Sequence, residues 1–175
     1  TDNLFDNIKK EDSGFSITYI KQVHGGKHRA LNKGIRLARG RYFFIVDSDD
    51  YLLPYSIKKI KEWVEEIEES FDIAGVSGLC QYSDGSITGE FPKRLLLKRN
   101  SFVDVKNTDR YLYKLMGDKA EIYRTEILRM HPFPEFEGED FITESVCWNA
   151  IAGEGYKIRW YNVPIYVCEY QPDGL

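Results

Sequence analysis

Tyr42-Phe43-Phe44-Ile45-Val46 is an unbroken apolar run that stops abruptly on Asp47-Ser48-Asp49-Asp50. A strand with one face in water alternates apolar and polar residues, whereas a continuous run suits a strand covered on both faces. The run therefore predicts an inner strand of an α/β sheet. The flanking text agrees, because strand-like and helix-like periods alternate along the chain. Phe15 to Ile20 alternates with period two and predicts a strand. Lys27 to Ala38 predicts a helix with Ala30, Leu31, Ile35 and Ala38 on its apolar stripe and Gly40 as its stop. Pro54 opens a further helix, with Ile57, Ile60, Val64 and Ile67 facing a core. Phe71 to Tyr82 reads as a strand and Ser83-Asp84-Gly85 as a turn into a short strand near Ile87. Later expectations are a helix over Asn107 to Met116, a strand over Lys119 to Tyr123 and a short helix over Thr125 to Met130. A helix from Glu139 to Ala152 comes next, then strands over Tyr156 to Tyr161 and Ile165 to Tyr170. At 175 residues, one domain spanning 1–175 can bury a real core.

The acidic stop is the most informative chemistry in the chain. Three carboxylates within four residues repel one another unless a cation sits among them. Such oxygen-rich clusters suit Mg²⁺ or Mn²⁺, which also take up substrate phosphates. The end of a sheet strand is where open α/β sheets place ligands. A single aspartate here could simply cap the helix after Pro54; the set at this place favours the metal reading.

Upstream the sign reverses. From Lys21 to Val46 there is no Asp or Glu, against Lys21, Lys27, Arg29, Lys33, Arg36, Arg39, Arg41, His24 and His28. Gly25-Gly26 precedes the helix, where a glycine pair allows close backbone approach and a helix N-terminus favours an anion. Lys27, His28 and Arg29 fall in the first turn, where the helix dipole disfavours cations. Something negative nearby would relieve them, and an anion site and a solvated basic face both remain open for Gly25 to Arg29. For Arg36, Arg39 and Arg41 the solvated face is the better reading. Glu137-Gly138-Glu139-Asp140 opens the predicted later helix; taken alone it is only a charge preference.

The formal net charge of −4 argues against a protein built chiefly to coat nucleic acid. Cys80, Cys147 and Cys168 lack metal-ligand spacing and read as buried, reduced thiols. No apolar run approaches the ~20 residues of a membrane span. Trp148 and Trp160 read as core residues rather than sugar platforms.

Taken together, Val23-His24-Gly25-Gly26-Lys27-His28-Arg29-Ala30-Leu31-Asn32-Lys33-Gly34, the Gly40 to Leu52 stretch with its DxD, and Gly138-Glu139-Asp140 resemble the family 2 glycosyltransferases. The resemblance implies the GT-A fold, a Rossmann-like mixed sheet flanked by helices. It implies a divalent metal, Mn²⁺ or Mg²⁺, held by Asp49 with Asp47 and Asp50. It places donor binding on Gly26, Lys27, Arg29, Asn32 and Asp47, the catalytic base at Asp140 and an acceptor contact at Glu139. The implied reaction is inverting transfer of a sugar from a nucleotide-sugar donor, a UDP-sugar first, to a hydroxyl of a saccharide or lipid-linked acceptor. Surface-polysaccharide or glycolipid synthesis is the implied setting, in the cytoplasm or at the inner face of the membrane, with peripheral membrane association and no nucleic-acid partner.

Family members begin with a strand, a helix and a strand ending in an Asp-Asp-Gly-Ser-like turn. Thr1-Asp2-Asn3 resembles the residues just after that turn, so a partial, N-terminally truncated domain, inactive alone, is expected. Gln171 to Leu175 resembles the start of a loop over the donor. A metal-dependent nucleotidyltransferase, releasing pyrophosphate, and a non-enzymatic anion-binding module are the competing readings.

Overall fold

The computed structural model describes residues 14–96, 98 and 100–169, so the expectations for Thr1 to Asn3 and for Gln171 to Leu175 lie outside the described residues. In chain order the elements are α1 (Lys27–Leu37), β1 (Tyr42–Phe44), β2 (Tyr51–Leu52), α2 (Ser56–Glu66), β3 (Ile73–Gln81), α3 (Lys93–Leu96), β4 (Phe102–Val105), a 3-10 turn (Asn107–Asp109), β5 (Lys119–Arg124), α4 (Thr125–Met130), α5 (Glu144–Gly153) and β6 (Lys157–Val167). Among the described residues, six strands form one sheet in the order β1-β5-β3-β6-β2, with β4 also paired to β6. β3 and β6 run parallel, and the other pairs are antiparallel. β4 and β2 share one edge of β6, β4 along Ile158–Tyr161 and β2 along Tyr166–Val167.

Adjacent residues on a strand face opposite ways, so the sheet feeds two cores. On one face Tyr123 and Trp160 pack with Ile35 of α1, Ile127 and Leu128 of α4, and Trp148 and Ile151 of α5. On the other, Ile122, Tyr161 and Ile165 pack with Trp63 of α2 and with Ile67 just after it. Trp148 and Trp160 are therefore core residues. Cys80 and Cys147 are buried and Cys168 half-buried, all free thiols, and burial pushes the Cys147 thiol up to about 12. No helix among the described residues is long and apolar enough to cross a membrane.

Several expectations are corrected. Residues 15–20 adopt no regular structure, with Phe15 73% exposed; alternation marks a fit to a pleated neighbour and does not by itself make a strand. The apolar run yields only Tyr42–Phe44, half-buried, at the β1 end of the sheet order. The strand covered on both faces is β3, buried from Ile73 to Cys80 between β5 and β6. Ile57 is exposed and Trp63 takes the core position of α2. Residues 107–116 form a 3-10 turn and further turns, and Lys114 near their end adopts a left-handed φ of 58° that an α-helix cannot carry. The two C-terminal strands are one, β6, accommodated by register shifts against β3. The last helix begins at Glu144, after Thr143, so Glu139 and Asp140 precede it rather than open it.

Candidate functional site

The site forms where the N-terminus of α1 meets two chain segments distant in sequence. β1 delivers the acidic turn. Asp50 N–H donates to the Asp47 carbonyl (3.2 Å), closing that turn on itself. Asp47 N–H donates to the Tyr166 hydroxyl (2.9 Å), and Asp50 Oδ1 accepts Glu169 N–H (3.0 Å). The turn is thus pinned to the end of β6. Burial, with Asp50 and Asp47 beside it, pushes the Tyr166 hydroxyl well up and keeps it protonated. Tyr166 belongs to no motif, and only the pairing of β2 with β6 brings it here.

Lys27, in the first turn of α1, spans the cleft. Its Nζ lies 2.7 Å from Asp47 Oδ1 and 2.8 Å from Oδ2. It also lies 2.7 Å from Glu144 Oε1, in the first turn of α5. Burial pulls the Lys27 pKa down, but the hydrogen bonds to Asp47 and Glu144 outweigh it and the net direction is upward. The negative partner that relieves cations at this helix N-terminus is therefore, in part, the protein's own carboxylate pair. Sequence reasoning misses Glu144, which along the chain is one more acid near a helix start.

Gly26, Arg29 and Asn32 meet the segment between α4 and α5. Arg29 donates to the carbonyls of Glu139 (Nη1, 2.9 Å) and Phe136 (Nη2, 2.5 Å). It also donates back to Gly25. Its Nη1 is 3.6 Å from Asp140 Oδ1. Asn32, buried, donates from Nδ2 to the Phe133 carbonyl (2.9 Å) and to Glu135 Oε1 (2.7 Å), and its Oδ1 accepts Phe133 N–H (2.9 Å). Gly26 has φ 85°, and a Cβ there would overlap the Asp140 carbonyl oxygen and crowd the His28 ring. That ring is fully buried, and neither of its nitrogens finds a hydrogen-bond partner among the described residues. Asp140 is open to solvent, while the Glu139 carboxylate accepts Phe141 N–H (2.9 Å).

The first turn of α1 thus borders both acidic segments, the one carrying Asp47, Asp49 and Asp50 and the one carrying Glu139 and Asp140. Among the described residues, no three His, Cys, Asp or Glu side chains converge as a metal cage. Mg²⁺ typically takes one or two carboxylates and completes its shell with phosphate oxygens and water. Asp49 is exposed and Asp47 and Asp50 are partly exposed, so the donor set fits such a substrate-completed site and not an all-protein one.

Comparison with known proteins identifies a family and a fold. The family model "Glycosyl transferase family 2" matches residues 1–128. The uncharacterized glycosyltransferase EpsJ of Bacillus subtilis (strain 168) is 38% identical over 68 residues, 39% of this chain and 19% of EpsJ. Among solved structures, S. aureus TarS 1–349 superposes with a TM-score of 0.64 at 19% identity, covering 96% of this chain and 48% of TarS 1–349. TarS 1–349 in complex with UDP-GlcNAc superposes with a TM-score of 0.61 at 19% identity, covering 99% of this chain and 48% of that one. The chain thus spans about half the length of these solved relatives and a smaller share of EpsJ.

Proposed function

Because the chain belongs to glycosyl transferase family 2 and has the GT-A fold of the TarS structures, we propose that it supplies the acidic and acceptor-side half of a sugar-transfer site. TarS has been solved with UDP-GlcNAc and with UDP; by that likeness the inferred donor here is a UDP-sugar. The observation that carries the reading is the single ammonium of Lys27, which joins Asp47 at the strand end to Glu144 beside the Asp140 segment.

In this reading Asp49, with Asp47 and Asp50, holds a divalent cation, Mn²⁺ or Mg²⁺. When bound, the cation would draw charge from the departing diphosphate. Lys27 stands at the same place and can pass from its carboxylates to a phosphate oxygen. Asp140, open to solvent, takes the proton of an acceptor hydroxyl. The hydroxyl oxygen bonds to the anomeric carbon as the carbon–oxygen bond to the diphosphate breaks on the opposite face, so configuration inverts. Glu139 lies beside this base, on the acceptor side. Lys27 and Asp47 keep the donor-binding role in this proposal; Gly26, Arg29 and Asn32 direct their contacts to the 133–140 segment instead.

The acceptor is a saccharide or lipid-linked hydroxyl in surface-polysaccharide or glycolipid synthesis, met at the inner face of a membrane. Exposed Tyr111, Leu112, Tyr113 and Met116 around Lys114 support that setting, since apolar and cationic side chains together favour an anionic lipid surface. In calorimetry on the full-length protein, UDP with Mn²⁺ should bind, and Asp49→Ala should weaken that binding at least tenfold. Binding that is absent, or indifferent to the substitution, removes the metal reading.

A further inference from the structure

Proceeding from Asp140 as the base, the geometry points to Gly26, Arg29 and Asn32 as positioning residues that dock the 133–140 segment and hold Asp140 in place.

The segment has little to hold it on its own. It contains no helix or strand, and Glu135 to Asp140 are exposed. Pro132 and Pro134 remove backbone donors, and Gly138 sits at φ 77°. A general base must stay within hydrogen-bond reach of the proton it takes, and a misplacement of about 1 Å can cost about 100-fold in rate.

The element that fixes the segment is α1. Asn32 reads the Phe133 backbone in both directions, donating to its carbonyl and accepting its N–H, as a neighbouring strand would. Phe133 is buried and sets its ring edge-on to Trp148 of α5, at 5.8 Å between centroids. One end of the segment is thereby anchored in the core. At the other end the Arg29 guanidinium spans the Phe136 and Glu139 carbonyls. Arg suits this task because its planar fork is pre-organised for two acceptors. Gly26 offers no side chain, and that gap is where the Asp140 carbonyl lies. Arg29 and Asn32, at i and i+3, are neighbours on the surface of α1, and Gly26 precedes them at its N-cap. Together they grip the segment at Phe133, at Phe136 to Glu139 and at Asp140. The polar groups of Arg29 and Asn32 are spent on protein, which a donor-binding role would leave open for ligand.

The test uses the full-length protein with Arg29→Ala, Arg29→Lys, Asn32→Ala and Asp140→Asn, each checked for folding by circular dichroism. Four readouts apply: UDP affinity with Mn²⁺, kcat and KM for UDP release, hydrogen exchange of 133–141, and rescue by guanidinium. Arg29→Ala should lose roughly 10–100-fold in kcat, with UDP affinity unchanged within about twofold. It should lose exchange protection over 133–141 and regain part of kcat in added guanidinium. Arg29→Lys keeps the charge but cannot span both carbonyls, so it should be intermediate; it carries the test if Arg29→Ala does not fold. Weakened UDP affinity with kcat intact would make Arg29 a donor ligand and overturn the inference. So would a wild-type kcat or wild-type exchange in a folded Arg29 variant. An unimpaired Asp140→Asn with the exchange changes still present would instead remove the base assignment and leave the docking role standing.

Discussion

Lys27 sets one ammonium against two carboxylates, Asp47 and Glu144, from separate parts of the sequence. All three side chains stay partly exposed, so solvent screens the pairs and their contribution to stability is small, below about 1 kcal/mol. Its value lies in the charge it places at the cleft. Lys27→Met should leave the unfolding midpoint nearly unchanged while weakening UDP affinity more than tenfold; a loss confined to stability would contradict the donor role. Glu121, on β5, presents the reverse case. Burial pushes its carboxyl up to about 7, against the pull of Arg110, whose Nη1 is 3.7 Å away, and of Lys119, while Glu144 adds to the rise. A carboxyl raised in the folded state contributes stability that is complete below its unfolded value of 4.5 and is lost as pH rises through about 7. That loss is of order 1–3 kcal/mol. Urea denaturation should show the wild type losing stability over this window relative to Glu121→Gln; parallel curves would place the Glu121 proton elsewhere.

At the scale of elements, two helices dock for different reasons. α2 is held to the sheet by apolar contact: Trp63, buried, stacks on Tyr161 at 4.2 Å and 6°. The Tyr161 hydroxyl returns a hydrogen bond to Glu66 Oε2 (2.7 Å). Trp63→Ala should cost about 3–5 kcal/mol through the cavity it leaves, and Trp63→Phe markedly less, by chemical denaturation; equal costs would mean that stacking is not what seats α2. α1 is held by Ile35 in the core and by Arg29 and Asn32 on the 133–140 segment. Its contacts are chiefly polar where they face the candidate site, as expected of an element whose N-terminus borders the proposed chemistry. α5 obeys the same logic, with Trp148 and Ile151 inward and Glu144 at the cleft.

For the whole molecule, the sequence is legible where a feature is local. α1, β3, β5, α4 and the turn at Ser83 to Gly85 arise from period and turn chemistry, and the acidic stop after Tyr42 to Val46 marks one wall of the candidate site. The family resemblance rests on the same local text. Features that depend on pairing are not legible. Nothing local tells β1 that it ends the strand order, or β3 that it is covered on both faces. Nothing local distinguishes an Asp140 that opens a helix from one that precedes it. Glu144 and Tyr166 join the site through partners 117 and 119 residues away, Lys27 and Asp47. Period, charge and turn propensity are properties of neighbours along the chain, and these the sequence determined alone. Which carboxylate meets which cation is set by how the sheet closes and the helices seat on it, and only the tertiary structure decided that Gly26, Arg29 and Asn32 face a loop of their own protein.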